Sequence, residues 1–185
     1  MRRFMIAILV GAGAVSTPLA AQTSAWALGF AGTLGTAWEV EGGDLGYVRY
    51  LHAGPFRSAL IGARLGTFID EGAIVGGTRG FLGGAVVALR TGLLPLADIG
   101  NETNPAALGL DLTIEAVGYA GSESPLAQGS PWGSVGIYPG VSFGGNGSPH
   151  YGIVVGPTVF LGAGSTSVFG FLGLRFELPR GHGGP

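Results

Sequence analysis

Six charged residues fall at positions where an alternating strand would turn their side chains to one face: Arg64, Arg90, Asp111, Glu115, Arg175 and Glu177. Three positive and three negative charges in one confined space have to be paired, because leaving one partner of a buried ion pair alone costs about 3–5 kcal/mol. The set therefore predicts a network of salt bridges that holds a packed interior. A narrow channel or gate lined by charges is the alternative.

The spacing of these residues suggests how they would pair. Asp111 and Glu115 lie four residues apart on one predicted strand, so both would face the same side and could bracket Arg64. The remaining three, which are Arg90, Arg175 and Glu177, are expected nearer the opposite end of the interior.

Residues for catalysis or metal binding are sparse. His52 and His150 fall at predicted strand ends or turns, and neither belongs to a His-x-Ser motif of the kind that lipid-modifying outer-membrane enzymes use. Glu39, Glu41 and Asp44 form an acidic cluster in a predicted loop, where oxygen ligands could bind calcium but a solvated loop is commoner. We expect no enzyme activity, metal or cofactor, and keep a lipid-modifying enzyme that depends on His52 or His150 as an alternative.

The composition excludes several classes of protein. Of 185 residues, 38 are glycine, 46% are hydrophobic and only 11% are charged, against about 25% charged residues in an ordinary soluble domain. A disordered chain has the reverse composition, and a disulfide scaffold needs cysteine, which is absent here. A formal charge of −2 argues against a nucleic-acid partner.

The first 21 residues have the pattern of a secretory signal peptide. Arg2 and Arg3 precede an apolar run over residues 4–15, and the small residues Ala20 and Ala21 follow. The run is too short to span a bilayer as a helix, which needs roughly 20 residues. We therefore expect cleavage after Ala21, export from the cytoplasm, one domain over residues 22–178 and a tail over 179–185.

The mature chain follows a period of two. In Leu108–Ala116, four leucines or isoleucines and an alanine alternate with Gly109, Asp111, Thr113 and Glu115, which a strand separates cleanly onto two faces. The same pattern predicts eight strands, over 25–38, 45–52, 58–69, 79–91, 108–116, 135–143, 152–161 and 168–178. Segments rich in glycine and proline separate them, among them Glu41–Asp44, Leu93–Pro105 and the hairpin signal Asn146-Gly147.

The two faces of the predicted strands suggest a barrel turned inside out. The apolar face carries bulky residues at nearly every second position, whereas the other face is mostly Gly, Ser, Thr and Ala with a few charges. Such a pattern suits a barrel whose outer surface meets lipid and whose narrow lumen holds small and charged side chains. A secreted soluble β-barrel or sandwich remains an alternative, as does a helical membrane protein with a span at Tyr151–Leu174.

The chain resembles the small eight-stranded bacterial outer-membrane barrels, such as the transmembrane domain of outer-membrane protein A and outer-membrane protein W. The features in common are a signal peptide, eight amphipathic strands and an apolar last strand. The resemblance implies an antiparallel up-and-down transmembrane β-barrel in the Gram-negative outer membrane, with outer-membrane lipid and the barrel-assembly machinery as partners. It also implies an assembly signal in the last strand, which Gly173, Phe176 and Leu178 match in spacing.

The same resemblance shapes what we expect the protein to do. A structural or surface-exposed role without catalysis comes first, and a narrow, porin-like conduit for small or apolar solutes is the alternative. Six aromatic residues near predicted strand ends would form girdles at the two membrane interfaces: Trp26, Trp38, Trp132, Tyr47, Tyr50 and Tyr151.

Overall fold

A computed structural model describes residues 23–34, 38–70, 78–100, 106–121, 131–144, 149–162 and 166–179. They form eight strands: β1 (Ser24–Leu34), β2 (Trp38–Tyr50), β3 (Ser58–Asp70), β4 (Thr78–Asp98), β5 (Ala107–Gly121), β6 (Pro131–Gly144), β7 (His150–Gly162) and β8 (Thr166–Pro179). The signal peptide predicted for residues 1–21, the hairpin signal Asn146-Gly147 and the tail beyond Pro179 lie outside the described residues.

The eight strands close into one antiparallel barrel in chain order, and β8 pairs with β1. The fold class predicted from the alternation is therefore confirmed. If one starts at Ser24 and moves from each residue to its partner on the next strand, one circuit of the barrel ends on β1 at Leu34 instead of at Ser24. The sheet is therefore staggered, and its strands are tilted relative to the barrel axis. Ser24 and Pro179 lie at the same rim, which we call the terminal end; the opposite rim is the far end.

The side chains alternate between the two sides of the wall, as the period of two predicts. Large apolar residues face outward along every strand, for example Phe30 with 65% of its surface exposed and Leu65 with 73%. The charged residues Arg64, Asp111 and Glu115 face inward and are almost completely buried. The apolar face is therefore the outer surface of the barrel.

The interior is packed in distinct regions. Toward the far end, an aromatic cluster joins Val40, Phe68, Leu82, Phe160 and Phe169. A second apolar cluster, made mainly of small aliphatic residues such as Ala25 and Val48, covers the β1–β5 wall. Charged side chains, among them Arg64 and Glu115, occupy other parts of the interior, so the lumen is filled by side chains of both kinds.

Two predicted loops are strands. Glu41–Asp44 was expected as the first outer loop, but it lies inside β2, where Gly42 pairs with Ala31 on one side and Gly66 on the other. A Cβ on Gly42 would lie 2.8 Å from the carbonyl oxygen of Leu65, so this glycine permits close strand packing instead of a turn.

Residues 93–98 of the connection predicted over Leu93–Pro105 are also strand, and residues 101–105 lie outside the described residues. β4 continues through Pro95 to Asp98, with shifts of register on either side of Pro95. The pairing of β3 with β4 ends at Ser58 and Arg90, so beyond Arg90 one edge of β4 has no strand partner among the described residues. Proline is tolerated on such an edge, because its missing N–H removes no ladder hydrogen bond. The β4–β5 hairpin therefore projects at the terminal end.

Substitution at two inward glycines should have opposite consequences. A Cβ on Gly136 would overlap the buried ring of Tyr138, whereas no heavy atom lies within 4 Å of a Cβ on Gly152. We expect Gly136→Val to lower the free energy of unfolding by about 1–3 kcal/mol through overpacking, and Gly152→Ala to leave it nearly unchanged. Urea unfolding of the detergent-refolded barrel, followed by tryptophan fluorescence, measures both; equal losses would contradict this packing.

Candidate functional site

The centre of the lumen is organised around Arg64. β2 and β3 place Asp44 directly opposite Arg64, and the guanidinium makes a two-pronged contact with the carboxylate, with Nε 2.7 Å from Oδ1 and Nη2 2.8 Å from Oδ2. The same Nη2 donates to Oε1 of Glu115 on β5 at 3.0 Å. The Arg64 side chain is only 4% exposed, so these contacts replace its hydration.

A second set of charges lies nearer the terminal end. Arg90 on β4 contacts Glu177 on β8 through its two terminal guanidinium nitrogens, with Nη1 3.1 Å from Oε1 and Nη2 3.2 Å from Oε2. The hydroxyl of Tyr50 donates to Oε2 of the same carboxylate at 2.7 Å. Arg175 lies 3.5 Å from Oε2 of Glu115, which connects it to the Arg64 set.

An aromatic pair supports the charged centre. The Tyr138 and Phe171 rings stack with their centroids 4.1 Å apart and their planes within 13°. The Arg64 guanidinium carbon lies 5.5 Å from the Phe171 centroid, within the range of a cation–π contact. Gly173 makes room for this ring, because a Cβ there would lie 2.8 Å from Phe171. The Arg64 guanidinium is therefore in contact with an aromatic ring as well as with the two carboxylates.

A small cavity of about 30 Å³, partly open to solvent, lies beside the charges. Its lining includes Asp111, Thr113, Ser142, Gly152 and Arg175. Toward the far end, the cluster around Phe68 and Phe160 fills the lumen, and these two side chains are at most 3% exposed. In the part of the chain that the structure describes, the space is thus a pocket within a packed interior.

The six residues predicted to share the interior all face it, but two pairings differ from the prediction. Arg64 is bracketed by Asp44 and Glu115, whereas Asp111 lies close enough to Arg90 to interact with it electrostatically. Arg175 was expected away from Arg64, yet it contacts the same Glu115. The stagger of the barrel causes both differences, since it brings together positions that lie far apart along unrolled strands.

Two members of the network were missed. Asp44 was assigned to a loop and Tyr50 to an outer aromatic girdle, yet both side chains point into the lumen. The alternation contained the signal for both: Tyr47 and Leu45 face outward, so the even-numbered positions Asp44, Val48 and Tyr50 face inward. The glycine pair before Asp44 obscured the pattern.

The predicted girdle residues are otherwise outside the barrel where they are described. Trp26 and Tyr47 meet edge to face on neighbouring strands at a centroid distance of 5.9 Å, and Tyr151 meets Phe176 in the same way at 5.6 Å. Both pairs lie toward the terminal end, and exposed Trp132 lies near the far end. The side chain of Trp38 lies outside the described residues.

The other candidate residues lie apart from one another where their side chains are described, and the side chain of Glu39 lies outside the described residues. His52 is exposed in the β2–β3 turn, and His150 begins β7 with its ring 6.0 Å from Tyr50. Glu41 and Asp44 fall on opposite faces of β2. Across the described ranges there is no group of three or more His, Cys, Asp or Glu that could hold a metal ion.

Comparisons with protein-family models, curated proteins and solved structures give no match to this chain. Within the described ranges, no helix is long and apolar enough to cross a membrane. The function therefore has to be inferred from the geometry of the barrel and its lumen.

Loss of Arg64 should destabilise the barrel because two buried carboxylates would lose their common partner. We expect Arg64→Gln to lower the free energy of unfolding by about 3–5 kcal/mol, while Arg49→Gln, at an exposed outward position, changes it by less than about 0.5 kcal/mol. Urea unfolding in detergent measures the loss. Unchanged stability combined with a new conductance in planar bilayers would instead identify Arg64 as part of a gate.

Proposed function

We propose that this protein is an integral β-barrel of a bacterial outer membrane, with a structural or surface-exposed role and no catalytic activity. One observation carries the proposal: a closed eight-stranded barrel exposes bulky apolar side chains along its outer wall and buries a network of ion pairs inside. A barrel stable in water has the reverse arrangement.

The size of the apolar surface supports lipid rather than water as its surroundings. Over twenty large apolar side chains of the described strands and turns are exposed. Soluble monomers rarely expose a contiguous apolar patch above a few hundred Å². At about 25 cal/mol per Å², every ~1,000 Å² of apolar surface that moves from water into lipid gains on the order of 25 kcal/mol.

The dimensions of the barrel also suit a bilayer. Six of the eight strands have 11 to 14 residues, and a tilted strand needs about 9–11 residues to cross the hydrocarbon core. The outward aromatic pairs near the terminal end match the interfacial girdles of membrane barrels. An exported chain of this shape would place its terminal end in the periplasm.

The packed lumen favours a non-conducting, non-catalytic role over the alternatives. Aromatic side chains fill the lumen toward the far end, and Arg64 and Arg90, outside that cluster, form ion pairs with carboxylates. A conduit would need a passage past Phe68 and Phe160, both of which are buried. A lipid-modifying enzyme would need a nucleophile and a base in contact at the outer surface, and His52 has no such partner among the described contacts.

Mobility on a denaturing gel is the first test of this proposal. A closed membrane barrel resists detergent unfolding until it is boiled, so we expect the protein to sediment with outer membranes and to change mobility on heating. Recovery only in the soluble fraction, with no shift, would favour the secreted soluble β-domain. Planar-bilayer conductance then tests the conduit, for which we expect no discrete channels.

A charge on the outer face should distinguish lipid from water as the surroundings. Ile137, 51% exposed, lies midway along β6 on the outer face. We expect Ile137→Arg to lower the free energy of unfolding in phospholipid vesicles by about 2–4 kcal/mol, since an arginine at the bilayer midplane costs that much. Leu51→Arg, in the turn at the rim, is the matched control and should cost about 0–1 kcal/mol. Equal small effects would contradict a lipid-facing wall.

The last strand is the proposed assembly signal. Phe176 and Leu178 share the outer face of β8 and lie opposite Leu28 and Trp26 of β1, at the seam that closes the barrel. We expect Leu178→Asp to reduce the amount of heat-modifiable barrel assembled in cells severalfold, while refolding of the purified variant into detergent stays efficient. Equal impairment in both settings would assign Leu178 a packing role only.

A further inference from the structure

The β2–β3 turn is docked on the terminal part of β4. The backbone N–H of Arg57 donates to the carbonyl oxygen of Arg90 at 2.7 Å, and the Thr91 hydroxyl donates to the carbonyl oxygen of Pro55. Within the turn, the N–H of Leu51 donates to the carbonyl oxygen of Arg57 at 2.8 Å. These hydrogen bonds fix the backbone from which the Arg57 side chain extends.

The Arg57 side chain extends over the inward face of β4 at Gly92. A Cβ on Gly92 would overlap the guanidinium group and lie 2.7 Å from its Nη1 atom, so the guanidinium occupies the space of a missing side chain. Gly92 pairs with Asp111 of β5. The Cβ positions of such a pair are about 4.5–5.5 Å apart, which places Nη1 of Arg57 within roughly 8 Å of the Asp111 Cβ. A rotation of the flexible arginine side chain can therefore bring the two charged groups together.

Asp111 has an oxygen available for such a contact. Its Oδ2 atom is buried without a hydrogen-bond partner, which is unfavourable for a charged acceptor. Arg90 also attracts Asp111 electrostatically, but its two terminal nitrogens contact Glu177. The Arg57 side chain is exposed, and no carboxylate among the described residues forms an ion pair with it. Arg57 is therefore the nearby described cation that can move to Asp111.

The charge count of the lumen agrees with this pairing. Among the described residues, four carboxylates face four guanidinium groups when the turn is included: Asp44, Asp111, Glu115 and Glu177 against Arg57, Arg64, Arg90 and Arg175. The last three arginines each contact a carboxylate other than Asp111. Arg57 and Asp111 are the two members of this set that remain without an ion-pair contact.

We propose that Arg57 is a latch at the terminal mouth of the lumen, with an open position over Gly92 and a closed position on Oδ2 of Asp111. In the structure the latch is open, since the guanidinium is exposed and the cavity that Asp111 lines is partly open to solvent. Closing moves the guanidinium from the wall into the lumen and satisfies the buried oxygen. An eight-stranded barrel is only just wide enough for its own side chains, so one arginine fills much of the mouth. The latch does not depend on where the barrel resides.

Ionic strength should control this latch, because Arg57 is exposed to solvent in the open position. The screening length falls from about 10 Å in 0.1 M salt to about 3 Å in 1 M salt. Salt therefore weakens the attraction that draws the guanidinium to the Asp111 carboxylate. We expect the cavity to be more accessible at high ionic strength than at low ionic strength.

A cysteine in the cavity measures this access, and the chain has no cysteine of its own. Ser142→Cys places a thiol in the lining opposite Gly152, where no heavy atom lies within 4 Å of a Cβ position. The probe is methyl methanethiosulfonate, which is small and uncharged, and mass spectrometry follows the labelling of the detergent-refolded barrel. In this background we expect Arg57→Gln and Asp111→Asn each to speed labelling about two- to fivefold at low salt, the range for a solvent-accessible ion pair.

Two comparisons separate the latch from a direct effect on the thiol. Loss of a cation and loss of an anion change the reactivity of a nearby thiol in opposite directions, so acceleration by both variants assigns the effect to their contact. Arg57→Gln combined with Asp111→Asn should label no faster than either single variant, because both remove the same contact. High salt should bring the native arginine and aspartate to the same rate as the variants.

Two further variants complete the test, and heat-modifiability shows which variants are folded. Arg49→Gln removes a charge at an exposed outward position, so it should label at the native rate. Gly92→Ala keeps every charge but fills the open position, so it should slow labelling. Both Gly92→Ala and Arg57→Gln alter exposed or rim positions and stay informative if Asp111→Asn does not fold. An unchanged rate in folded Arg57→Gln, additive acceleration in the double variant or faster labelling in Gly92→Ala overturns the proposal.

Discussion

Charge neutralisation inside a narrow space is the constraint on which this barrel depends. Arg64 is buried among packed side chains, so it needs both carboxylates that reach it, from Asp44 on β2 and Glu115 on β5. Glu115 in turn contacts Arg175 on β8. The two contacts of Glu115 connect strands that the sheet pairing does not join directly, and so they tie different walls of the barrel together. Removing one member leaves the others charged and without solvent.

Glycine makes this arrangement possible sterically. A Cβ at Gly136 would occupy the place of the Tyr138 ring, and one at Gly173 would press on Phe171. Each of these two rings therefore lies over a glycine two positions away on its own strand. The stacked pair then flanks Arg64, so the glycines at positions 136 and 173 help to determine where the central charge lies. The high glycine content serves the interior as much as the turns.

The period of two predicted the number of strands and their faces, because alternation is a local property that each strand displays by itself. It could not predict which charges meet. Arg175 and Glu115 come together through the stagger of the whole barrel, which depends on the pairing of all eight strands. The two errors of strand assignment have local causes. Gly42 and Gly43 look like a turn but allow close packing in β2, and Pro95 looks like a strand end but occupies an edge of β4.

The projecting β4–β5 hairpin makes the outer wall uneven in height. β4 has 21 residues and its neighbour β3 has 13, and the additional part carries exposed Leu94 and Leu96 with Ile99 just beyond it. In a membrane of uniform thickness, a barrel whose wall is taller and apolar on one side is expected to tilt, because tilting brings more of the taller side into the hydrocarbon core. In the proposed membrane, the long β4 strand would thus give the molecule a preferred tilt and a distinguishable side. Neighbouring copies in one membrane would then all tilt in the same direction relative to their own β4–β5 hairpin.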